Sequence, residues 1–361
     1  MTKTILSIGF LLSFCLAQVS IAQSAKVDSL TRIKEHAYLL AKNGSRDSIK
    51  FYAESSLKMA RKLQNPHLIN EFTYLMGTGY RLKNREKALI YYGESFRLSD
   101  SLGNYSLKAQ SSLKIGSILR LHRKYDSALY HIQLAKEIFD EFKLEDEKVL
   151  IKYYENLAMY HEAISDFDVA NEKYLAALKI SEEKGLSHMS LYFEFGIAKT
   201  QSILKDFKQT AMYLGRSLQK SEELGNNGMI ASCNTLYGTI TSQQYEVRKS
   251  LDQLDSSQIY LDSALNYYRN AKRYYHADDS MQLNKLYIMM TSVFNEQERY
   301  DSSNHYLMAS YYLLREKDFT SKTVWCLLYS DLKKALGELD SARHYATRSL
   351  YFANLLKSKN L

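Results

Sequence analysis

The chain has 361 residues, 45% of them hydrophobic, with one proline, 14 glycines and a net charge of +8. So few helix breakers point to long unbroken helices, because proline costs about 3 kcal/mol and glycine about 1 kcal/mol inside one. The positive charge is spread along the chain and offset locally by 40 acids, which argues against direct nucleic-acid binding, since no basic stripe with interleaved aromatics is present.

Residues 1–22 read as an export signal, with Lys3 as the positive start, an apolar run from Ile5 to Val19, and Ser20-Ile21-Ala22 as a small-x-small cleavage site before Gln23. That run is too short to span a bilayer comfortably, and no later run reaches about 18 apolar residues. The chain from residue 23 is therefore expected to be exported and periplasmic, without a transmembrane helix. Leu12-Ser13-Phe14-Cys15 is a poor lipoprotein box, because Phe14 is bulky where a small residue is needed. The other two cysteines, Cys233 and Cys326, fall in first helices of units separated by a whole unit. A disulfide needs Cα atoms within about 7 Å, so both are expected to be small buried apolar residues.

From there on the chain repeats itself. A degenerate copy at Ser48/Tyr52/Ser55 is followed by Arg85/Ala88/Tyr92/Ser95, Tyr125/Ala128/Ile132/Ala135, Phe167/Ala170/Tyr174/Ala177 and Phe207/Thr210/Leu214/Ser217. Three more follow at Leu261/Ala264/Tyr268/Ala271, Tyr300/Ser303/Leu307/Ser310 and Leu339/Ala342/Ala346/Ser349. The second member of each full set lies 40, 42, 40, 54, 39 and 39 residues after the last. A fixed period in this range means stacked supersecondary units. Each period reads as helix, short turn, helix, each helix about 16 residues long. Asp-Ser pairs at Asp47, Asp126, Asp262, Asp301 and Asp340 are expected to start the second helices. Gly103-Asn104, Gly185 and Gly225-Asn226 are expected to stop them. The long interval holds about 14 extra residues near 244–257, predicted either to lengthen a first helix or to protrude as a loop.

These residues resemble the tetratricopeptide repeat family in its longer, roughly 40-residue variety. Gly116, Ala158, Ala198 and Gly238 match the family's small eighth position; Ala88, Ala128, Ala170, Ala264 and Ala342 match the twentieth, and Ala135, Ala177 and Ala271 the twenty-seventh. The family's tryptophan at position four is missing. The resemblance implies an all-α solenoid of about eight antiparallel helix pairs in a right-handed superhelix over 23–361, similar to exported arrays of bacterial membrane regulators. It also implies that first helices line a concave face. On this chain those positions include Asn70, Tyr74, Tyr80, Arg81, Lys114, Ser117, Arg120, Lys152, Asn156, Met159, Tyr192, Lys199 and Lys285. The lysine-asparagine clamp of chaperone-binding members is not reproduced, since Thr73, Leu113 and Glu155 stand at position five.

No pattern of catalysis or cofactor binding occurs. His161-Glu162 lacks a second histidine, Gly77-Thr78-Gly79 lacks a third glycine and a preceding strand, and no Gly-x-Ser-x-Gly or phosphate loop is present. The 30 tyrosines are expected to pack mostly between units, a few lining a groove. Lysine, arginine, asparagine and tyrosine together suit a peptide carboxylate or another acidic group, although a merely solvated groove would have the same composition. In the last helix, Tyr351, Leu355 and Leu356 are expected to lack cover, opening a route to a homodimer. The leading expectation is a non-enzymatic, exported scaffold that binds a protein or peptide and uses no cofactor or metal. The second is an extracytoplasmic sensor module of a signal-transduction regulator.

Overall fold

A computed structural model describes residues 25–39, 46–251, 258–276, 279–314 and 318–358. The export-signal region and Cys15 lie outside the described residues. The described residues form sixteen α-helices and no strand. The chain divides into two compact units.

In the first unit, α1 (25–39) precedes α2 (Arg46–Lys62), α3 (Pro66–Tyr80), α4 (Arg85–Ser101), α5 (Tyr105–Leu121), α6 (Tyr125–Glu141), α7 (Glu147–Ala163) and α8 (Phe167–Glu183). In the second, α9 (Ser187–Ile203), α10 (Phe207–Glu223), α11 (Asn227–Ser250) and α12 (Gln258–Tyr274) precede α13 (Ser280–Glu296), α14 (Tyr300–Tyr311), α15 (Phe319–Ala335) and α16 (Leu339–Ser358). Odd-numbered helices open the hairpins and even-numbered ones close them. Odd helices also pack against one another, α5 on α7 in the first unit and α9, α11, α13 and α15 in succession in the second.

The repeated frame is the buried stripe of the closing helices. Ala88, Tyr92 and Ser95 are buried in α4, Ala128, Ile132 and Ala135 in α6, and Ala170, Tyr174 and Ala177 in α8. Their spacing of four and then three residues puts them on one helical face. Burying a residue such as Ile132 in full contributes about 2–3 kcal/mol. In α2 the frame lies one residue later than its sequence suggested. Ile49, Ala53 and Ser56 are buried, whereas Ser55 is exposed, because the apolar pair and not the Ser–Tyr–Ser template faces α3.

Facing this stripe, each opening helix carries a small residue. A Cβ on Gly116 would lie 3.0 Å from the Ala128 carbonyl oxygen, one on Gly77 2.8 Å from the Tyr92 ring, and one on Gly238 2.4 Å from the Tyr268 ring. Helices approach this closely only where a side chain is absent.

The turns differ from expectation in one respect. Among the described residues, seven helix starts are capped by an asparagine or aspartate just before them. Asn65 Oδ1 accepts from Leu68 N at 3.1 Å, Asn84 from Lys87 N at 2.9 Å, Asn104 from Leu107 N at 3.1 Å and Asp206 from Gln209 N at 3.0 Å. The Asp-Ser pairs sit inside the helices instead. Helix α6 starts at Tyr125 with no side-chain cap, so Asp126 acts only through its charge near the positive helix end. Asp262 lies beyond the first turn of α12. In several turns a left-handed residue precedes the cap position, Gly103 (φ 64°) before Asn104 and Arg123 (φ 59°) before Lys124. The amide after it returns to the previous helix, as with Asn104 N to Ser99 O at 2.9 Å and Lys124 N to Leu119 O at 3.0 Å. A three-residue link thus closes one helix and opens the next.

The extra residues lengthen α11 to 24 residues, and 252–257 lie outside the described residues. The added turns are tied to α13, with Tyr245 Oη donating to Glu296 at 3.0 Å and Lys249 Nζ to the same carboxylate at 2.6 Å. Cys233 and Cys326 are free and buried, and burial pushes the Cys233 thiol up to about 11. In α16, Leu355 and Leu356 are half-buried, while Leu350 and Tyr351 are exposed beside Arg343, Thr347 and Arg348. No described helix is long and apolar enough to cross a membrane.

Candidate functional site

The opening helices of the first unit bring four of the predicted cations together. Arg81 is the C-cap of α3, Lys114 and Arg120 lie on α5, and Lys152 lies on α7. Glu155, also on α7, is the shared neighbour of Lys152, Lys114 and Arg81. Lys152 Nζ donates to Glu155 Oε2 at 2.6 Å, with side chains 41% and 22% exposed. Burial pushes the Glu155 carboxyl up, but Lys152, Lys114 and Arg81 outweigh it and hold the group below its usual value. The carboxylate is therefore ionised near neutrality. A half-exposed pair one turn apart contributes only about 0.5 kcal/mol to stability.

Arg120 is the least satisfied member. Its Nε is buried with no hydrogen-bond partner, and Nη2 reaches only Met159 Sδ, at 3.9 Å. Burial lowers its pKa, with Arg81 acting in the same sense against Tyr174, Glu162 and Tyr125. Behind it, Tyr174 of α8 has its phenol pushed up by burial, reinforced by Glu162, to which it hydrogen-bonds, and by Glu155. Lys152, Lys114 and Arg81 thus bear on Glu155, while Arg120 lies in the field of Glu162. In this partly buried setting the four cations form a face suited to an anionic group.

The other predicted positions have different surroundings. Asn70 is fully buried, its amide 2.8 Å from both the Ser95 and Ser99 hydroxyls of α4. Tyr74 is buried against Tyr92, ring centroids 5.4 Å apart. Tyr80 stacks on Tyr91 at 5.6 Å with Lys50 and Lys87 over its ring, so it faces α2 and α4. Asn70 and Tyr74 are thus packing residues rather than groove residues, while Tyr80 is half-buried. Asn156 donates to the Lys152 carbonyl oxygen at 2.7 Å, a bond within α7. Tyr192 and Lys199 belong to α9 of the second unit, where the exposed Tyr192 hydroxyl accepts from Asn226 at 3.1 Å. Glu155 and Glu162 were not among the predicted residues. Glu155, three residues from Lys152 on the same helical face, carried a readable signal.

Among the described residues no three histidines, cysteines or carboxylates gather as a metal site. The fold is that of tetratricopeptide-type helical repeat proteins. A signal-transduction ATPase with numerous domains from Pyrococcus horikoshii, bearing a tetratricopeptide repeat sensor, matches 93% of this chain and 50% of its own, at TM-score 0.63 and 13% identity. A Rap protein complexed with competence and sporulation factor matches 92% of this chain and 99% of its own, at TM-score 0.58 and 13% identity. The Rap conjugation gene regulator of plasmid pLS20, in complex with the Phr* peptide, matches 91% and 96%, at TM-score 0.55 and 13% identity. No family model and no curated protein matches the chain.

Proposed function

We propose that this protein is a non-enzymatic interaction scaffold that holds an acidic peptide segment, or an acidic segment of a protein, on the face formed by Arg81, Lys114, Arg120 and Lys152. The observation that carries this reading is the gathering of Lys152, Lys114 and Arg81 around Glu155, with the buried Nε of Arg120 making no hydrogen bond. The peptide-bound Rap structure supports the reading through its shared fold. The export pattern at 1–22 adds the periplasm as the proposed location. A second reading, a sensor module within a signalling pathway, is favoured by the match to the repeat sensor of the Pyrococcus protein. The same face would then receive the signal.

The test uses a fluorescein-labelled heptapeptide, Ala-Ala-Tyr-Ala-Ala-Asp-Asp with a free terminal carboxylate, and an amidated counterpart ending in Asn-Asn. Lys114→Glu combined with Lys152→Glu should weaken binding of the acidic probe about 100-fold, as expected for reversing two charges in one electrostatic interface, with the circular dichroism spectrum unchanged. Equal binding by the parent and this variant refutes the assignment.

A further inference from the structure

A different part of the first unit departs from the repeat. The last turn of α2 carries Arg61 and Lys62. In the frame that aligns Ile49 with Ala88, Ala128, Ala170 and Thr210, the same two places hold Asp100-Ser101 in α4, Asp140-Glu141 in α6, Glu182-Glu183 in α8 and Glu222-Glu223 in α10. The carbonyl end of any helix attracts cations, so an effect of the helix end alone would have placed them in all five. What distinguishes α2 is the space beside it. A cleft of about 580 Å³ is lined by α2, by Met76 of α3 and by Tyr91 of α4. Leu57 and Met76, 5% and 2% exposed, give it an apolar part. Tyr91 is stacked on Tyr80; burial raises its phenol, aided by Tyr80, Glu54 and Glu94 and opposed by Arg61, so this wall stays uncharged. Along α2 the lining changes sign, from Glu54 to Lys58, Arg61 and Lys62, over about 12 Å. Arg61 Nη2 lies 3.6 Å from Glu94 Oε1 of α4, an exposed pair of the weak class.

We infer that this cleft binds a small amphipathic anion, an organic acid whose apolar body lies on Leu57, Met76 and Tyr91 and whose carboxylate meets Lys58, Arg61 and Lys62. The volume falls within the range of about 300–1,000 Å³ usual for small-molecule sites, which pair an apolar lining with a few charged groups. A purely ionic ligand would leave Leu57 and Met76 uncovered, and a purely apolar one would gain nothing from the cations. Glu54 sets the direction, because it repels the head group from its own end of the cleft and leaves the last turn of α2 to receive it. The exposed Arg61–Glu94 pair yields to an incoming carboxylate at little cost. This site shares no residue with the acidic-segment face and stands independently of it, since that face is built from Arg81, Lys114, Arg120 and Lys152 of the opening helices.

The experiment titrates dansylaminoundecanoic acid, with its methyl ester as the neutral counterpart, into the full chain and follows dansyl fluorescence. The expected result is saturable, equimolar binding of the acid, tighter than that of the ester. Arg61→Asp with Lys62→Glu gives α2 the pair that α6 carries at these places. This variant should bind the acid about tenfold more weakly, with the ester and the circular dichroism spectrum little changed. Lys58→Gln with Lys62→Gln, neutral exchanges at exposed positions, should weaken the acid about threefold and covers the case in which the first variant folds poorly. Lys114→Glu with Lys152→Glu should bind the acid as the parent does. Equal affinity of the parent and the α2 variants for the acid, or no preference of the parent for acid over ester, overturns the assignment. Loss of binding in the Lys114 and Lys152 variant also overturns it, by placing the probe on the opening helices.

Discussion

Replacing Gly238 with alanine lowers the stability of the second unit by about 2 kcal/mol. The added methyl would lie 2.4, 2.6 and 2.9 Å from three ring carbons of Tyr268, closer than any carbon contact tolerates. Tyr268 is 2% exposed and sits in a cluster with Ala264, Leu286 and Met290, so the ring has nowhere to retreat. Overpacking of this kind costs about 1–3 kcal/mol. The exchange of glycine for alanine in a helix returns up to about 1 kcal/mol, which the severity of the clash outweighs. Gly93 in α4 is the matched control, because a Cβ there meets nothing within 4 Å. Gly93→Ala should therefore stabilise by about 0.5–1 kcal/mol. Urea unfolding followed by circular dichroism reads both; a Gly238→Ala midpoint at or above the parent's contradicts the packing described here.

A second large effect is expected at Glu194. This carboxylate is fully buried in α9 and accepts from Arg216 Nε at 2.8 Å and Lys220 Nζ at 2.7 Å, both on α10. The cations are 42% and 23% exposed, so they keep water when the glutamate is lost, whereas the glutamate loses its charge partners when they are. Arg216→Met with Lys220→Met should cost about 3 kcal/mol, the usual penalty for breaking a buried ion pair by removing one side of it. Adding Glu194→Leu to that pair should restore most of the loss, since well-packed apolar groups replace buried ion pairs with little penalty. A double variant within 0.5 kcal/mol of the parent, roughly the scatter of a surface change, removes this triad from the account.

The closing helices were legible because they bury one stripe and expose the rest. Ala88, Tyr92 and Ser95 stand out against charged neighbours, and the same contrast recurs down the chain. The opening helices lack that contrast. In α3 ten residues are buried, Leu68, Asn70 and the run Phe72–Gly79, so no polar face marks the groove. Asn70 illustrates the difficulty. Its partners lie 25 and 29 residues away, and nothing local distinguishes a satisfied buried amide from an exposed one. Tyr80 is similar, since its stacking partner belongs to the next helix. Arg81, Lys114, Arg120 and Lys152 were readable because long cationic side chains are almost never fully buried. Their meeting around Glu155 depends on tertiary geometry. The register of α2 slipped because its small residues fit the frame one position too early, while the buried Ile49 and Ala53 carried the packing.

The central claim is that the opening-helix face of the first unit receives an acidic segment. A crystal structure of the full chain with the acidic heptapeptide bound tests it most directly. The account predicts a peptide carboxylate about 3 Å from nitrogens of Lys114 and Lys152. A peptide seated instead on the closing helices α2, α4 and α6, with the Lys152–Glu155 pair intact, would contradict it.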